Sequence, residues 1–307
     1  MRVLVTGAGG FIGRATTERL IQDGHAVAAL DRQAGRLRWP DAADHGDARL
    51  RLIGDDLLNV DLDELLADVD AVVHLAGRGN VRASWHDPGP YLRDNVEATD
   101  RLCRHVAMAE RPRVMVLASS SSVYGGRLLP WSEESAVAPA SPYGRSKLAA
   151  ERVAEVRLAG CGKTLVTARL FSVYGPGQRE DLLLSRLIDC ALIGDVFTVH
   201  GDGTQRRDFT FIDDVVTCLG RLLHLERSDV LNVCTGASRS VLDLVDLVGE
   251  LTGRSVRISA DQATSVEAIG AVHTWGDNRK LLRTCGPLNW TPLRGGVAQQ
   301  IESQQHR

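Results

Sequence analysis

The sequence lacks most features that would point away from a globular enzyme. Its six cysteines (Cys103, Cys161, Cys190, Cys218, Cys234 and Cys285) never stand in a C-x-x-C spacing. That excludes a zinc knuckle or dithiol motif and leaves small buried hydrophobes of a reducing compartment. Charge of one sign is also lacking. Thirty-six Lys and Arg stand against 39 Asp and Glu, a formal net charge of −3, and no basic run gathers a field for nucleic acid or an anionic membrane. The scattered Trp39, Trp85, Trp131, Trp275 and Trp290 form no stacking platform with such a run. No apolar stretch approaches 18 residues, so no membrane span is expected. Met1–Ile12 is apolar but has neither a basic start nor a cleavage site, and a cytoplasmic location is expected. The nine histidines show no H-x-x-H spacing, so no metal site is expected. Internal repeats and low-complexity tracts are lacking too.

What is present is an ordinary globular composition, 44% hydrophobic and 24% charged over 307 residues, long enough for two domains or one large α/β domain with a lobe. Val3–Thr6, Ala26–Leu30, Ala71–Leu75 and Val114–Ala118 are short apolar runs bounded by Gly, Asp or Ser, as suits strands buried on both faces of a parallel sheet. Between them Ile12–Asp23, Asp61–Ala67 and Val96–Ala109 carry helical spacing. Ser141-Pro142 is a helix start, an N-cap followed by proline at the first helical position, and that helix should run to about Leu158. Leu165–Leu170 adds a strand. Alternating strands and helices argue for an α/β fold with a doubly wound parallel sheet. After Tyr174 the pattern loosens. We expect a dinucleotide-binding domain over 1–174, to which 211–233 returns, and a smaller, interleaved α/β lobe over 175–210 and 234–307.

Val3-Leu4-Val5-Thr6-Gly7-Ala8-Gly9-Gly10-Phe11-Ile12-Gly13 runs from strand through glycine turn into helix. Gly7 allows the tight turn, Gly10 lets backbone approach a pyrophosphate, and Gly13 lets helix pack closely on strand. The helix N-terminus then offers its N–H groups and positive dipole end to phosphates. The next strand ends at Asp31, about 20 residues on, where a carboxylate accepts from the adenosine ribose hydroxyls and repels a 2′-phosphate. This favours NAD over NADP, although Arg32 follows and would attract that phosphate. Asp56 and Leu57, at the end of a third strand, are placed to hold the adenine edge.

In Ser141-Pro142-Tyr143-Gly144-Arg145-Ser146-Lys147, Tyr143 and Lys147 lie four apart and share a helix face. A phenol titrates near 10, and lowering that to about 7 takes roughly 4 kcal/mol of differential stabilisation. A nearby ammonium and a nicotinamide cation supply much of it. Taken alone the spacing is a common accident. Val114–Ala118, however, runs into Ser119-Ser120-Ser121-Ser122-Val123-Tyr124-Gly125, which puts hydroxyls at the C-terminal edge of the sheet, where ligands bind. Asp213-Asp214 precedes a helix and reads as its cap and dipole partner rather than a metal pair.

Together these stretches resemble the extended short-chain dehydrogenases, and within them the NAD-dependent nucleotide-sugar epimerases and dehydratases. Further matches are His74–Gly77, Asn95-Val96, Phe171–Gln178, Gly201–Phe209 and Phe211–Val215. The resemblance implies a Rossmann fold. It makes Tyr143 the base on a sugar hydroxyl, Lys147 the nicotinamide-ribose ligand that lowers the tyrosine's pKa, and Ser120 the hydrogen-bond partner of the reacting oxygen. It adds Phe11, Ile12, Leu75, Ala76, Gly77, Asn95 and Leu170 to the cofactor contacts. Ser122, Ser172 and Arg207 become contacts to a nucleoside-diphosphate sugar, with the Arg207 fork on the phosphates.

In 4,6-dehydratases of this family the two positions after the hydroxyl residue typically supply acid groups. Here they are Ser121 and Ser122, which do not titrate near neutrality. The Ser-rich version looks most like 4-epimerases. A reductase or dehydrogenase, an atypical dehydratase, or an NAD-binding sensor without chemistry are the alternatives. Two positions depart from the family: Ser172 replaces an asparagine, and Glu267–Ala271 replaces an Arg-Pro-Gly-Asp stretch. Relatives commonly pair through the helices matching Val96–Ala109 and Gly144–Leu158, which implies a homodimer.

Overall fold

The computed structural model describes residues 1–34, 49–125, 129–261 and 273–306. Glu267 and the stretch around it lie outside the described residues. The chain divides into two compact units, one of 1–124, 137–169 and 216–231, the other of 125–136, 170–215 and 232–307. The sequence-based boundary at 174 therefore differs in detail. Residues 125–136 and 170–174 group with the second unit, and only 216–231 of the returning segment groups with the first.

The first unit is built on a seven-stranded sheet. Its strands are β1 (Arg2–Thr6), β2 (Ala26–Leu30), β3 (Leu50–Ile53), β4 (Ala71–His74), β5 (Val114–Ser120), β6 (Thr164–Leu170) and, from the end of the chain's return, β10 (Asp229–Val233). Their order is β10-β6-β5-β4-β1-β2-β3. β1 pairs in parallel with β2 and β4, β2 with β3, and β4 with β5. The order reverses on either side of β1, the switch point beside which such sheets bind dinucleotides. Helices α1 (Phe11–Gln22), α2 (Leu62–Leu66), α3 (Ala83–His86), α4 (Ala98–Met108) and α5 (Pro142–Leu158) connect the strands. Leu4, Leu30, Leu66, Val72, Leu102, Met115 and Leu117 form the centre of the core. Each such side chain removed from water contributes roughly 2 kcal/mol.

The helical run expected over 96–109 starts earlier and irregularly, with a π-helical turn at Leu92–Glu97 ahead of α4. Such turns insert a residue into the helical ladder and are frequent at functional sites.

In the second unit β11 (Ser238–Ser240) pairs antiparallel with β9 (Arg206–Phe211), which pairs in parallel with β7 (Ser172–Tyr174). β8 (Val196–His200) and β12 (Arg257–Asp261) form a parallel pair. Helices α6 (Leu183–Ile193), α8 (Val241–Thr252), α9 (Arg279–Cys285) and α10 (Leu293–Gln305) belong to this unit, while α7 (Ile212–Leu222) is divided between the two. Asp213 and Asp214 fall in the first turn of α7, as dipole partners. Asp214 also accepts from the Thr291 N–H at 2.8 Å and its hydroxyl at 3.0 Å, which ties down the approach to α10.

Two devices hold the switch point. The first is the glycine turn after β1. Gly7 has φ +69°, and a Cβ there would stand 2.6 Å from the Ala76 nitrogen. A Cβ on Gly13 would stand 2.0 Å from the Gly7 carbonyl oxygen, so α1 rests directly on the turn backbone. The second is a buried chain of hydrogen bonds through His74. The Thr99 hydroxyl donates to the Asn95 carbonyl at 2.6 Å, so its oxygen accepts from His74 Nε2–H at 2.9 Å. His74 Nδ1 then accepts from the Thr6 hydroxyl at 2.7 Å, and the Thr6 oxygen accepts from the Ala76 N–H at 3.3 Å. This chain needs a neutral imidazole. Burial, helped by the Lys147 charge, pushes the His74 pKa down from 6.5 to about 3.

Gly13→Ala should cost about 3 kcal/mol, because its new methyl meets fixed backbone; a lowered urea midpoint at unchanged slope is the expected reading. His74 gives stability a pH window. Its unfolded form takes a proton near 6.5 and its folded form only near 3, so the contribution is complete above 6.5 and drains away as pH falls. By pH 5 about 2 kcal/mol should be gone. In His74→Asn that part of the pH dependence of the urea midpoint should disappear.

Candidate active site

A cleft opens at the C-terminal ends of the first unit's strands. Thr6, Gly7 and Gly10 line it from the glycine turn, Asp31 and Arg32 from the end of β2, Asp56 and Leu57 beyond β3, and Leu75, Ala76 and Gly77 beyond β4. The Asp31 carboxylate is fixed from both sides. One oxygen accepts from the Gly9 N–H at 3.1 Å, the other from the Gln33 N–H at 2.9 Å. Helix α1 starts at Gly10 without a side-chain cap, and Phe11, Ile12 and Gly13 form its first turn, so the dipole end is not filled by the protein's own side chain. These features fit a dinucleotide with its pyrophosphate on α1 and its ribose on Asp31. Arg32 leans away from the 2′-phosphate role, with Asp56 and Asp94 each 3.7 Å from its guanidinium. Asp56 also pairs with Arg93 at 2.9 Å and Asp94 with Arg78 at 2.7 Å.

Asn95, expected to touch the cofactor, spends its amide inside the protein. Its oxygen accepts from the Arg78 N–H at 2.7 Å, and its nitrogen donates to the Arg78 carbonyl at 3.2 Å and to Ser146 Oγ at 2.8 Å. It sits in the π-helical turn, is buried, and ties the segment after β4 to helix α5. A Cβ on Gly77 would stand 2.5 Å from the Asn95 amide oxygen, which explains the glycine ahead of Arg78.

Helix α5 begins where Ser141-Pro142 indicates, and its first N–H groups are all accounted for. Pro142 has none, the Gly144 N–H donates to Ser141 Oγ at 3.0 Å, and the Tyr143 N–H donates to Ser84 Oγ at 3.1 Å. Ser84 was not visible as a site residue in the sequence, since nothing local links positions 59 apart. Tyr143 is buried, its ring edge-on to Tyr91 with centroids 6.3 Å apart. Gly144 brings the helix down onto the turn Ser121–Val123: a Cβ there would stand 2.3 Å from the Ser122 carbonyl oxygen. Ser120 closes β5 and caps that turn, its Oγ accepting from the Ser122 N–H at 3.1 Å.

Lys147 is part-buried one turn beyond Tyr143, and Glu151 lies one turn beyond Lys147. Desolvation drives the Lys147 ammonium down to about 8, against the pull of the Glu151 charge. Glu151 and its partner Arg169, 2.7 Å away, are both buried, and neither stands out in the sequence. The i, i+4 step from Lys147 to Glu151 was readable, but a mid-helix glutamate is ordinarily solvated.

Three of the expected residues stand in the second unit. Leu170 is the buried last residue of β6, Ser172 opens β7, and Arg207 lies in β9. Arg207 donates to the Arg206 carbonyl at 2.9 Å, and burial lowers its pKa. Next to it Asp208 roots the strand, accepting from the N–H groups of Thr235 and Gly236 at 3.0 Å each. Among the described residues no group of His, Cys, Asp and Glu is arranged for a metal ion, and no helix is long and apolar enough to cross a membrane.

The model of the NAD-dependent epimerase/dehydratase family matches residues 3–234. A Bacillus subtilis protein called an uncharacterized UDP-glucose epimerase, YtcB, is 34% identical over 314 residues, covering 98% of this chain and 97% of that one. Among solved structures, MoeE5 in complex with UDP-glucuronic acid and NAD superposes with a TM-score of 0.91 at 40% identity, over 100% of this chain and 99% of that one. The UDP-glucuronic acid 4-epimerase of Bacillus cereus, in complex with UDP-glucuronic acid and NAD, gives 0.92 at 31% over the whole of both chains. A matched family model over most of the length, set on a cleft shaped for a dinucleotide, makes NAD the cofactor. The chain belongs to the NAD-dependent epimerase/dehydratase family.

Proposed function

We propose that the protein is a UDP-sugar 4-epimerase that oxidises the C4 hydroxyl to a ketone and receives the hydride back on the other face. The observation that carries this reading is the composition of the turn under Tyr143. Ser121 and Ser122, the two positions after Ser120, stand where elimination of water would call for a carboxylic acid and a base. An epimerase needs no further acid beside the sugar. NAD, when bound, takes the hydride from C4 and returns it.

The chain's own residues supply the proton chemistry. Tyr143 removes the hydroxyl proton as C4 is oxidised and gives it back on reduction. Lys147 stabilises the phenolate and holds the nicotinamide ribose. Ser120 donates to the reacting oxygen, at the end of a strand where its position is set by the turn it caps. Asp31 takes the adenosine ribose, with Arg32 kept to Asp56 and Asp94. Arg207, a half-buried guanidinium, suits the diphosphate as a two-pronged donor, and Ser172 would serve as a smaller hydroxyl contact beside it. UDP-glucuronic acid and UDP-glucose, the sugars named for the similar proteins, are the substrates to assay first.

We also propose a homodimer through the outer faces of α4 and α5. Met108 is 86% and Val156 76% exposed there, a large cost in solvated apolar surface that a partner copy would remove. Six free thiols support a reducing, cytoplasmic setting.

Incubated with UDP-glucuronic acid or UDP-glucose, the protein should yield the C4 epimer with no net change in absorbance at 340 nm. Stoichiometric NADH formation would instead mark a dehydrogenase. Tyr143→Phe should lower kcat by about 10²–10⁴-fold; unchanged turnover would remove the tyrosine from the mechanism. Val156→Glu should shift the protein from dimer to monomer mass in light scattering, with the fold unchanged by circular dichroism.

A further inference from the structure

The buried pair of Glu151 and Arg169 takes no part in the steps above. Glu151 has no exposed side-chain surface and Arg169 only 5%. Arg169 binds the carboxylate with two prongs, Nε to Oε1 at 3.0 Å and Nη2 to Oε2 at 2.7 Å. Its remaining Nη1 donates to the Tyr124 hydroxyl at 3.0 Å, and its guanidinium carbon lies 4.9 Å from the centroid of that ring. The Ser119 hydroxyl donates to Glu151 Oε1. Charges this deep are a poor way to gain stability, since well-packed apolar side chains of similar volume do as well or better. The arrangement calls for another explanation.

Its connections supply one. The short turn Ser121–Val123, with Ser120 as its cap, is held at its start by Glu151 through Ser119 and at its end by Arg169 through Tyr124. Glu151 is on the same face of α5 as Tyr143 and Lys147, at steps of four. We propose that the Glu151–Arg169 pair is a positioning clamp for catalysis: it holds both ends of the Ser120-bearing turn against the helix that carries Tyr143 and Lys147. The inference rests on the roles proposed above for Ser120 and Tyr143. Neither clamp residue touches substrate; both act by keeping the Ser120 oxygen within reach of the hydroxyl that Tyr143 deprotonates. A two-pronged ion pair suits this work because its geometry is far narrower than that of an apolar contact.

The decisive comparison is wild type against Tyr143→Phe, Glu151→Gln and the double variant Glu151→Gln/Arg169→Met, each as the full chain with NAD. Glu151→Gln alone strands a buried cation and should unfold more easily. The double variant removes both charges and should recover a wild-type Tm. If the pair serves stability alone, turnover recovers with Tm. A clamp predicts that kcat stays down by about 100-fold while KM for the UDP-sugar moves less than about threefold, as a small misplacement of a reacting group does. Wild-type kcat in the folded double variant would overturn the clamp.

Should the double variant not fold, Ser119→Ala and Tyr124→Phe each release one end of the turn and leave the ion pair intact. Each should lower kcat by about 10-fold at unchanged KM, and unchanged kcat in both would sink the proposal. Amide exchange over 119–124 reads the clamp without any substrate. It should quicken in every folded clamp variant, and unaltered exchange counts against the proposal even if the wild type turns over no UDP-sugar. Failure of the epimerase reading appears separately, as inactivity of the wild type or full activity of Tyr143→Phe.

Discussion

The candidate site depends on one close approach, the seating of helix α5 on the backbone of the Ser121–Val123 turn. Gly144 makes it possible, since any side chain there would run into the Ser122 carbonyl. Tyr143 precedes Gly144 and Lys147 follows one turn on, so the same contact that brings the helix down also sets the height of both side chains above the strand ends. Ser84 and Ser141 then satisfy the helix's first N–H groups. A dipole end that would otherwise favour an anion is thereby filled by neutral hydroxyls. The anion-binding dipole of this unit remains at α1, whose glycine turn carries no side-chain cap. The two helix starts thus differ, one left uncapped by side chains and the other filled by serine hydroxyls.

Around that contact the unit manages charge by burying it in neutral or paired form. His74 is kept uncharged between two threonine hydroxyls, under Lys147, where a second cation would oppose the first. Glu151 supplies the opposite charge one turn from Lys147, and Arg169 compensates Glu151. Lys147, driven down to about 8 by desolvation, is still largely protonated at neutral pH but responds strongly to its neighbours. That suits the role proposed for it beside Tyr143.

How much of this was legible in the sequence follows the distance over which each interaction acts. Ala26–Leu30 is a strand with the expected bounds because an apolar run meets Asp31 at the sheet edge. Pro142–Leu158 starts as read because Ser-Pro is a local signal with a local cause. Ser84 beneath Tyr143, Arg169 against Glu151 and Asn95 between Arg78 and Ser146 join positions 17 to 59 apart, and no periodicity encodes them. The π-helical turn at Leu92–Glu97 lies almost wholly ahead of Val96–Ala109, the run that carries the helical spacing, so that spacing does not reveal it. The two compact units divide elsewhere than at 174 for a similar reason. Trp131 exchanges backbone hydrogen bonds with Trp275 and Asp277, partners far along the chain that draw 125–136 away from the strands preceding them.

Asn95 shows how a family motif and a physical role can separate. Its place in a matching stretch suggests a cofactor contact, yet every atom of its amide is engaged by Arg78 and Ser146. Its effect on a dinucleotide would pass through what it fixes: the Ala76–Arg78 backbone that walls the cleft on one side, and the helix carrying Lys147 on the other. Glu151 and Arg169 do for the serine turn what Asn95 does for that wall. In both places a buried, hydrogen-bonded polar group holds a loop to α5, and networks of this kind set a single geometry where apolar packing would allow several. The serine turn and the wall after β4 are short and irregular in backbone, yet both are fixed by α5, through Glu151 in one place and Ser146 in the other.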